Sequence, residues 1–518
     1  MKNKSQIVLI SLIVALGGFL MGFDASVISG VVKFLEPEFG LTKLELGWAV
    51  SCLTLTATLG MLLAGPISNI YGRKSVLSVS ALLYAISAIY SAFAPDFTSL
   101  VIARMIGGFG VGASLILAPM YIAEISPANL RGRLVSFNQL NIVIGISVAF
   151  FSNYLILNWA QSDSSWAKSL MFDEYTWRWM LGVEFIPAIL YFFALFTVPR
   201  STRWLIMKDR LAEAKEVFER INPEKNAEEE INLIKESLVS ENNKEKTSIK
   251  ELFRPTMKKV LVIGIVVAIL QQITGINSVF FYAPMIFEQT GIGTDASFSQ
   301  AILIGIINLV FTILAICFID KLGRRPLLIF GVGAIAVFMF ILSSTFSSAT
   351  YRLDQTDLTE LPVEIDRNEL SSMVGVTYDD DVSFKNALKE SIGNDLAGKY
   401  EGDIIKNAIN ANSTLILIGI LGFVAAFAIS LGPVMWVLLS ELFPNRIRGL
   451  AISFVGLINS AISFIVQLVF PWEMANLGSG TTFMIYGVFA VLGLMFVITK
   501  VPETKGKSLE ELEKILIK

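Results

Sequence analysis

The amino-acid sequence predicts an all-α membrane protein with twelve transmembrane helices in two six-helix halves. Three observations predict it: composition, the length of the apolar runs, and a motif pair that occurs twice. Of 518 residues, 54% are hydrophobic and only 16% charged, with a mean hydropathy of +0.65. A water-soluble surface needs roughly 25% charged residues, so most of this surface is not wet. The same arithmetic excludes a disordered chain, a disulfide-stapled secreted domain and an ordinary soluble enzyme. A net charge of −3 gives no basic excess for nucleic acid. With no histidine in the chain, imidazole acid–base chemistry and the commonest metal ligand are lost. Cys52 and Cys317 sit apart in apolar runs, where they read as small hydrophobes rather than a metal or redox pair.

The apolar runs, numbered helix 1 to helix 12, fall at 7–30, 46–66, 75–94, 98–123, 134–158, 177–198, 260–287, 298–319, 326–346, 413–438, 449–471 and 480–499. Each is about the 20 residues that a helix needs to cross a bilayer. Backbone groups in lipid must be satisfied internally, and the ten-residue alternation of a barrel is absent. Helix 1 follows Lys2 and Lys4 without a small-residue cleavage site, so it reads as a retained helix rather than a signal peptide. With both termini inside, the short inner segments and termini carry 16 basic residues. The short outer loops carry four: Lys33, Lys43, Lys168 and Arg178. The positive-inside rule therefore predicts cytoplasmic termini.

Two polar stretches interrupt the runs. Residues 199–259 carry one-sided apolar stripes, Leu211, Ala214, Val217, Phe218 and Ile221, then Ile231, Ile234 and Leu238. These predict short amphipathic helices lying on the cytoplasmic face. The tail 501–518 repeats the device with Leu509, Leu512, Ile515 and Leu516, opened by a Ser508–Glu511 capping box. The predicted organisation is thus 1–198, a six-helix half; 199–259, a linker; 260–500, a second half; and 501–518, an amphipathic tail.

The internal repeat sizes the second polar stretch. Gly72-Arg73-Lys74 recurs as Gly323-Arg324-Arg325, an offset of 251, and Glu124…Arg131-Gly132 recurs as Glu441…Arg448-Gly449, an offset of 317. The difference of 66 residues matches the length of 347–412. An insertion between helices 9 and 10 on the outer face follows. It holds 13 acidic and six basic residues, which predicts a small solvated cap or mobile loop, with a binding lid or docking module as the alternative. The repeated charges at the helix ends suit an inner gate, pairing across the halves when it is shut, with topology and anchoring alone as the alternative.

Five stretches carry a resemblance: Gly17–Gly30 (GGFLMGFDASVISG), Arg104–Gln139 (RMIGGFGVGASLILAPMYIAEISPANLRGRLVSFNQ), Gln271–Pro284 (QQITGINSVFFYAP), Gly432–Gly449 (GPVMWVLLSELFPNRIRG) and Pro502–Gly506 (PETKG). On these the chain resembles the sugar porter family of the major facilitator superfamily, in particular its bacterial D-xylose–proton symporters. The resemblance spans the chain except the insertion. It implies the major facilitator fold in an inner membrane, and alternating-access import of a monosaccharide, a pentose such as D-xylose or a hexose such as glucose, coupled to a proton. A facilitative uniporter and a non-transporting sugar sensor are the alternatives. No organic cofactor or metal is implied, the proton being the coupling ion, and a monomer in the lipid bilayer is expected.

Charged residues at bilayer depth cost about 2.5–3.5 kcal/mol each on insertion scales, so Asp24 in helix 1 and Arg104 in helix 4 are expected to pair. Asp24 is the candidate proton-binding carboxylate, with Arg104 controlling its proton affinity and Glu184 in helix 6 as a second acid. The family's proton-coupled members carry Asp where its facilitative glucose carriers carry Asn. Amides both donate and accept, as sugar hydroxyls do, and an aromatic ring stacks on the C–H face. Gln271, Gln272 and Asn277 of helix 7 supply such groups. Their spacing of five and six residues cannot aim all three alike on a regular helix, so an interruption near Gly275 is expected. By resemblance Gln139, Asn308, Trp436 and Asn459 complete the sugar-contacting set, with Phe281 and Tyr282 at the outer gate or pocket wall. Arg73, Glu124, Arg131, Arg203, Asp320, Arg324, Glu441 and Arg448 are the candidate cytoplasmic gate. Departures from the family pattern are Met21 and Ser460 in place of aromatic residues, Phe281 for Tyr, Asn69 for Asp, and Pro199-Arg200-Ser201-Thr202-Arg203 without the family's Glu. The Gly108–Gly112 run lacks the strand of a phosphate loop and reads as a close-packing surface.

Overall fold

A computed structural model describes residues 2–127, 130–221, 226–242, 248–359, 361, 365–444, 446–507 and 511–513. Among these, twelve helices are long and apolar enough to cross a membrane: Gln6–Phe39, Lys43–Tyr71, Arg73–Ala92, Phe97–Ile125, Arg131–Ala160, Thr176–Thr197, Pro255–Glu288, Thr294–Leu322, Arg324–Ser347, Ser413–Leu442, Arg448–Asn476 and Gly478–Lys500. They correspond one to one with the predicted runs, so helix 1 to helix 12 keep their numbers.

Three of the helices are interrupted. Helix 6 breaks between Thr176–Gly182 and Phe185–Thr197. Helix 7 breaks between Lys258–Ile273 and Ile276–Glu288, where Gly275 takes φ +86°. That left-handed turn is open to glycine and costly for other residues. Helix 10 breaks at Ser430, between Ser413–Ile429 and Leu431–Leu442.

By proximity the chain divides into two compact units: residues 1–25, 52–149 and 178–247, and residues 26–51, 150–177 and 248–518. The boundary does not follow the sequence halves, because the ends of helices 1, 2 and 5 on one side group with the second half. Helix 2 lies so close to helix 11 there that a Cβ on Gly47 would collide with the Leu468 carbonyl. In the first unit helices 1 and 5 meet reciprocally, Gly22 against the Ile142 carbonyl and Gly145 against that of Phe19. Where lipid tails are as apolar as Leu, such close backbone approach is what drives helices together.

The linker forms Thr202–Met207, Leu211–Ile221 and Ala227–Asn242. Ala214, Val217, Phe218, Ile221 and Ile231 are buried, as the stripes predict, and Ile234 and Leu238 pack on the first unit's core. In the tail, Leu512 is buried; Ser508, Leu509, Ile515 and Leu516 lie outside the described residues.

The segment between helices 9 and 10 is a folded cap rather than a loose loop. Strands β1 (Thr350–Arg352), β2 (Thr377–Tyr378) and β3 (Ile409–Asn410) form an antiparallel sheet in the order β2-β1-β3, with Tyr351 opposite Tyr378 and Thr350 opposite Asn410. A cap helix, Asp381–Ala408, kinks at Gly393. Tyr351, Leu353, Leu370, Phe384, Leu388, Ile404 and Ile405 bury together as a separate core. The sequence conceals that core because its apolar residues are spread thinly among acidic and polar ones.

Candidate functional site

Asp24, Arg104 and Glu184 come together in the first unit, each no more than 2% exposed. Arg104 Nη1 donates to Asp24 Oδ1 at 3.3 Å, while Asp24 Oδ2 and Glu184 Oε1 have no hydrogen-bond partner. Helix 4 presents Gly107 here; a Cβ would lie 2.9 Å from Asp24 Oδ2, so the glycine keeps space beside that free oxygen. Glu184 sits at the break in helix 6. Two carboxyl groups facing one guanidinium leave room for one more positive charge, which a proton can supply.

In the second unit, helices 7 and 11 build a continuous amide network. The Gly275 turn swings Asn277 back onto Gln272, so Asn277 Nδ2 donates to Gln272 Oε1 at 2.8 Å. Gln272 Nε2 donates to Asn459 Oδ1 at 3.1 Å and to Gln271 Oε1 at 3.2 Å. Asn459 Nδ2 donates to Gln271 Oε1 and to the Ala268 carbonyl, both at 2.9 Å. Gln271 Nε2 donates to the Leu431 carbonyl at 3.0 Å, next to the break in helix 10. Such alternating donors and acceptors match a ring of hydroxyls, and each amide can exchange a protein partner for a ligand one.

Sequence reasoning missed two members. Ser463 Oγ accepts from Asn277 Nδ2 at 2.6 Å and from Gln467 Nε2 at 2.7 Å, and Tyr282 donates to the Gln467 carbonyl at 2.8 Å. The signal was available: Asn459, Ser463 and Gln467 recur every four residues and share one face of helix 11. Tyr282 has a non-helical backbone inside helix 7, and Phe281 beside it is buried. Asn308 is buried on helix 8, outside the hydrogen-bonded set. Trp436 is 45% exposed, its indole edge beside Gly456 of helix 11. Gln139 belongs to the first unit and is exposed on helix 5.

The repeated charges pair within each unit, in matching patterns. Arg73 Nε reaches Glu124 Oε1 at 3.1 Å and Arg73 Nη1 reaches Asn69 Oδ1 at 2.9 Å, while Ser201 donates to Glu124. In the second unit Arg324 Nη2 reaches Glu441 Oε1 at 2.8 Å and Asp320 Oδ1 at 3.0 Å, while Thr504 donates to Glu441 at 2.6 Å. Each Glu thus pairs with the Arg of the Gly-Arg turn and not with the Arg seven residues ahead of it. Arg131 is exposed, Arg448 Nε donates to the Phe443 carbonyl at 3.2 Å, and Arg203 is half-buried. No group of three or more potential metal ligands occurs among the described residues.

The sequence matches the family described as "Sugar (and other) transporter" over residues 10–356 and 397–516, the gap falling inside the cap. It is 33% identical to the arabinose-proton symporter of Bacillus subtilis over 512 residues, 99% of this chain and 95% of that one. Identity to the D-xylose-proton symporter of Escherichia coli K12 is 35% over 544 aligned positions, covering 99% of this chain and 96% of that one. An inward open structure of the xylose transporter XylE from E. coli superposes with a TM-score of 0.74 at 34% identity, covering 98% of this chain and all of that one.

Proposed function

The chain belongs to the sugar transporter family, and from that premise we propose that it is a proton-coupled symporter importing a monosaccharide, a pentose or hexose, by alternating access. Its setting is the inner membrane, as a monomer with both termini in the cytoplasm. The observation that carries proton coupling is Asp24: a buried carboxylate with one oxygen on Arg104 and the other unpartnered. When Arg104 holds it the charge is balanced; when that contact opens, a proton takes its place. Glu184 is the second acid of the same cluster. The amides Gln271, Gln272, Asn277 and Asn459 bind the sugar, with Gln139, Asn308 and Trp436 contributing as the cycle proceeds. Phe281 and Tyr282 belong to the outer gate, and the clusters around Arg73–Glu124 and Arg324–Glu441 to the inner one. Coupling requires that proton and sugar bias the same equilibrium between inward-facing and outward-facing states.

The test is purified protein in proteoliposomes with a panel of xylose, arabinose and glucose, with and without an imposed pH gradient. Accumulation above equilibrium only with an acidic exterior is the expected result. Uptake that stops at equilibrium whatever the gradient makes the protein a uniporter, and binding without uptake makes it a sensor.

A further inference from the structure

Seven charged residues gather at the cap, away from both sites described above. Asp381 and Lys385 are less than 9% exposed and Glu401 is 17% exposed on the cap helix. Glu36 and Lys43, on helices 1 and 2, are about one-fifth exposed, and Lys33 meets Glu288 of helix 7. All belong to the second unit.

Three hydrogen bonds fasten the cap to helix 12 and the end of helix 7. Asp381 Oδ2 accepts from the Ser479 N–H at 3.1 Å and from its hydroxyl at 3.0 Å, and Gln289 Nε2 donates to Glu401 Oε1 at 3.0 Å. The remaining contacts lie within the cap helix and between helices 1, 2, 7 and 8. Lys385 Nζ, on the cap helix itself, lies 3.3 Å from Glu401 Oε1, and Lys43 of helix 2, bound to Glu36 at 2.6 Å, adds its positive field on Glu401. Lys33 Nζ bonds Glu288 Oε1 at 2.8 Å and the Thr294 hydroxyl. The cap helix carries glycines at this close approach: a Cβ on Gly398 would lie 3.6 Å from Glu36 Oε1, and one on Gly402 3.5 Å from Glu288 Oε2.

We propose that the cap is a latch on the outer side of the transport cycle, with Glu401 a positioning residue that acts through Lys43 of helix 2 and Gln289 at the end of helix 7 to hold helices 1 and 2 against helix 7. This rests on the transporter reading. Opening toward the outside parts the 26–51 segments from helix 7 and the cap, separating charges that have little water to replace their partners. Burial alone would raise the Glu401 carboxyl, but Lys385, Lys43 and the Gln289 amide outweigh it and hold it at about 2. The latch therefore stays charged at every pH the cell meets, and it sets a standing bias rather than a pH switch.

The experiment uses the full chain in proteoliposomes, with Cys52 and Cys317 replaced by Ser and a reporter Ser29→Cys, a buried position one turn inward of Lys33. Outside-added, membrane-impermeant maleimide should label the reporter several-fold faster in Glu401→Gln than with the latch intact, and Glu401→Asp should restore most of the protection. The external sugar concentration for half-maximal uptake should fall by a similar factor, since the outward state is more populated. Lys43→Met, outside the cap core, repeats the test should Glu401→Gln not fold. Unchanged labelling in both variants overturns the latch. Loss of sugar counterflow in the parent protein would instead overturn the transporter reading and leave the labelling comparison intact.

Discussion

If Asp24 carries the coupling proton, as proposed, replacing it by Asn should separate transport from coupling. Asn keeps the side-chain volume and one oxygen for Arg104 Nη1, now 3.3 Å from Asp24 Oδ1, but it cannot take up a proton. A membrane potential of 100 mV supplies about 2.3 kcal/mol per charge, and at about 1.4 kcal/mol per tenfold that sustains roughly a 50-fold sugar gradient with one proton per sugar. Asp24→Asn should reduce the ratio to about 1 while leaving sugar counterflow, which needs no net proton movement. There is a structural cost, because Arg104 at 1% exposure loses its countercharge. Stripping one partner from a buried pair costs about 3–5 kcal/mol. Glu184, in the same cluster with an unpartnered Oε1, can take over part of the balance, so the penalty should fall at the low end. The assay pairs counterflow with potential-driven uptake in the same vesicles, and thermal unfolding in detergent checks the fold. Full accumulation by Asp24→Asn would refute the assignment; residual accumulation abolished only by adding Glu184→Gln would move the proton site to Glu184.

Ser463→Ala removes the hydroxyl that both Asn277 and Gln467 use; sugar binding by calorimetry should weaken about tenfold, on the order of 1–2 kcal/mol for two lost hydrogen bonds, and Ser463→Thr should retain it. Gly275→Ala must adopt φ +86° with its Cβ 2.5 Å from the Tyr486 ring, so an unfolding temperature and transport rate both well below the parent's are expected, from about 1–2 kcal/mol of backbone strain plus the clash. Glu401 is held at about 2 where an ordinary glutamate titrates near 4.5, a difference worth about 3 kcal/mol. Because its folded value is depressed, that stability is present above about 4.5 and lost as the pH falls toward about 2. The gap in unfolding temperature between parent and Glu401→Gln should thus be full at pH 7 and shrink as the pH drops below 4.5, and a pH-independent gap would contradict the pairing.

The sequence reveals those features that the bilayer compels. A span must be about 20 apolar residues, so all twelve were visible, and a lone charge in lipid is costly, so Asp24 and Arg104 were expected together. The break at Gly275 was legible too, because Gln272 and Asn277 cannot share a face of an unbroken helix. Direction was not legible. Gln139 and Trp436 have the right chemistry for a sugar, yet Gln139 is exposed and Trp436 is 45% exposed, and nothing in residue type fixes where a side chain points. Ser463 and Gln467 were overlooked because single polar residues in a span usually serve helix–helix hydrogen bonds; only their four-residue spacing sets them apart. The seven-residue Glu…Arg spacing was real as a repeat, but the bonds run to Arg73 and Arg324 because those turns sit beside the glutamates in space.

The two charge clusters also differ in one place, and the difference can be tested. Val501-Pro502-Glu503-Thr504 in the second half matches Val198-Pro199-Arg200-Ser201 in the first, with Thr504 and Ser201 both donating to the cluster glutamate. Glu503 accepts from the N–H groups of Arg324 and Arg325, each at 3.1 Å, capping the start of helix 9 where the helix dipole favours an anion. Arg200 in the same place can accept no such bonds, and Gly72, at the start of helix 3, has no side chain to supply a cap. Arg200 instead lies 3.7 Å from Glu213 and over Trp204, at 41% exposure, contacts worth about 0–1 kcal/mol. Two charge-assisted hydrogen bonds to helix 3 contribute about 1.5–3 kcal/mol each at best, so Arg200→Glu should stabilise the protein by about 1–2 kcal/mol after the lost contacts and loop ordering. Thermal unfolding should move upward by a degree or more, and Glu503→Gln should move it downward by a comparable amount. If Glu503→Gln lowers the unfolding temperature while Arg200→Glu lowers it as well, the two halves do not share this cap, and the first half is held by Trp204 against Gly72 instead.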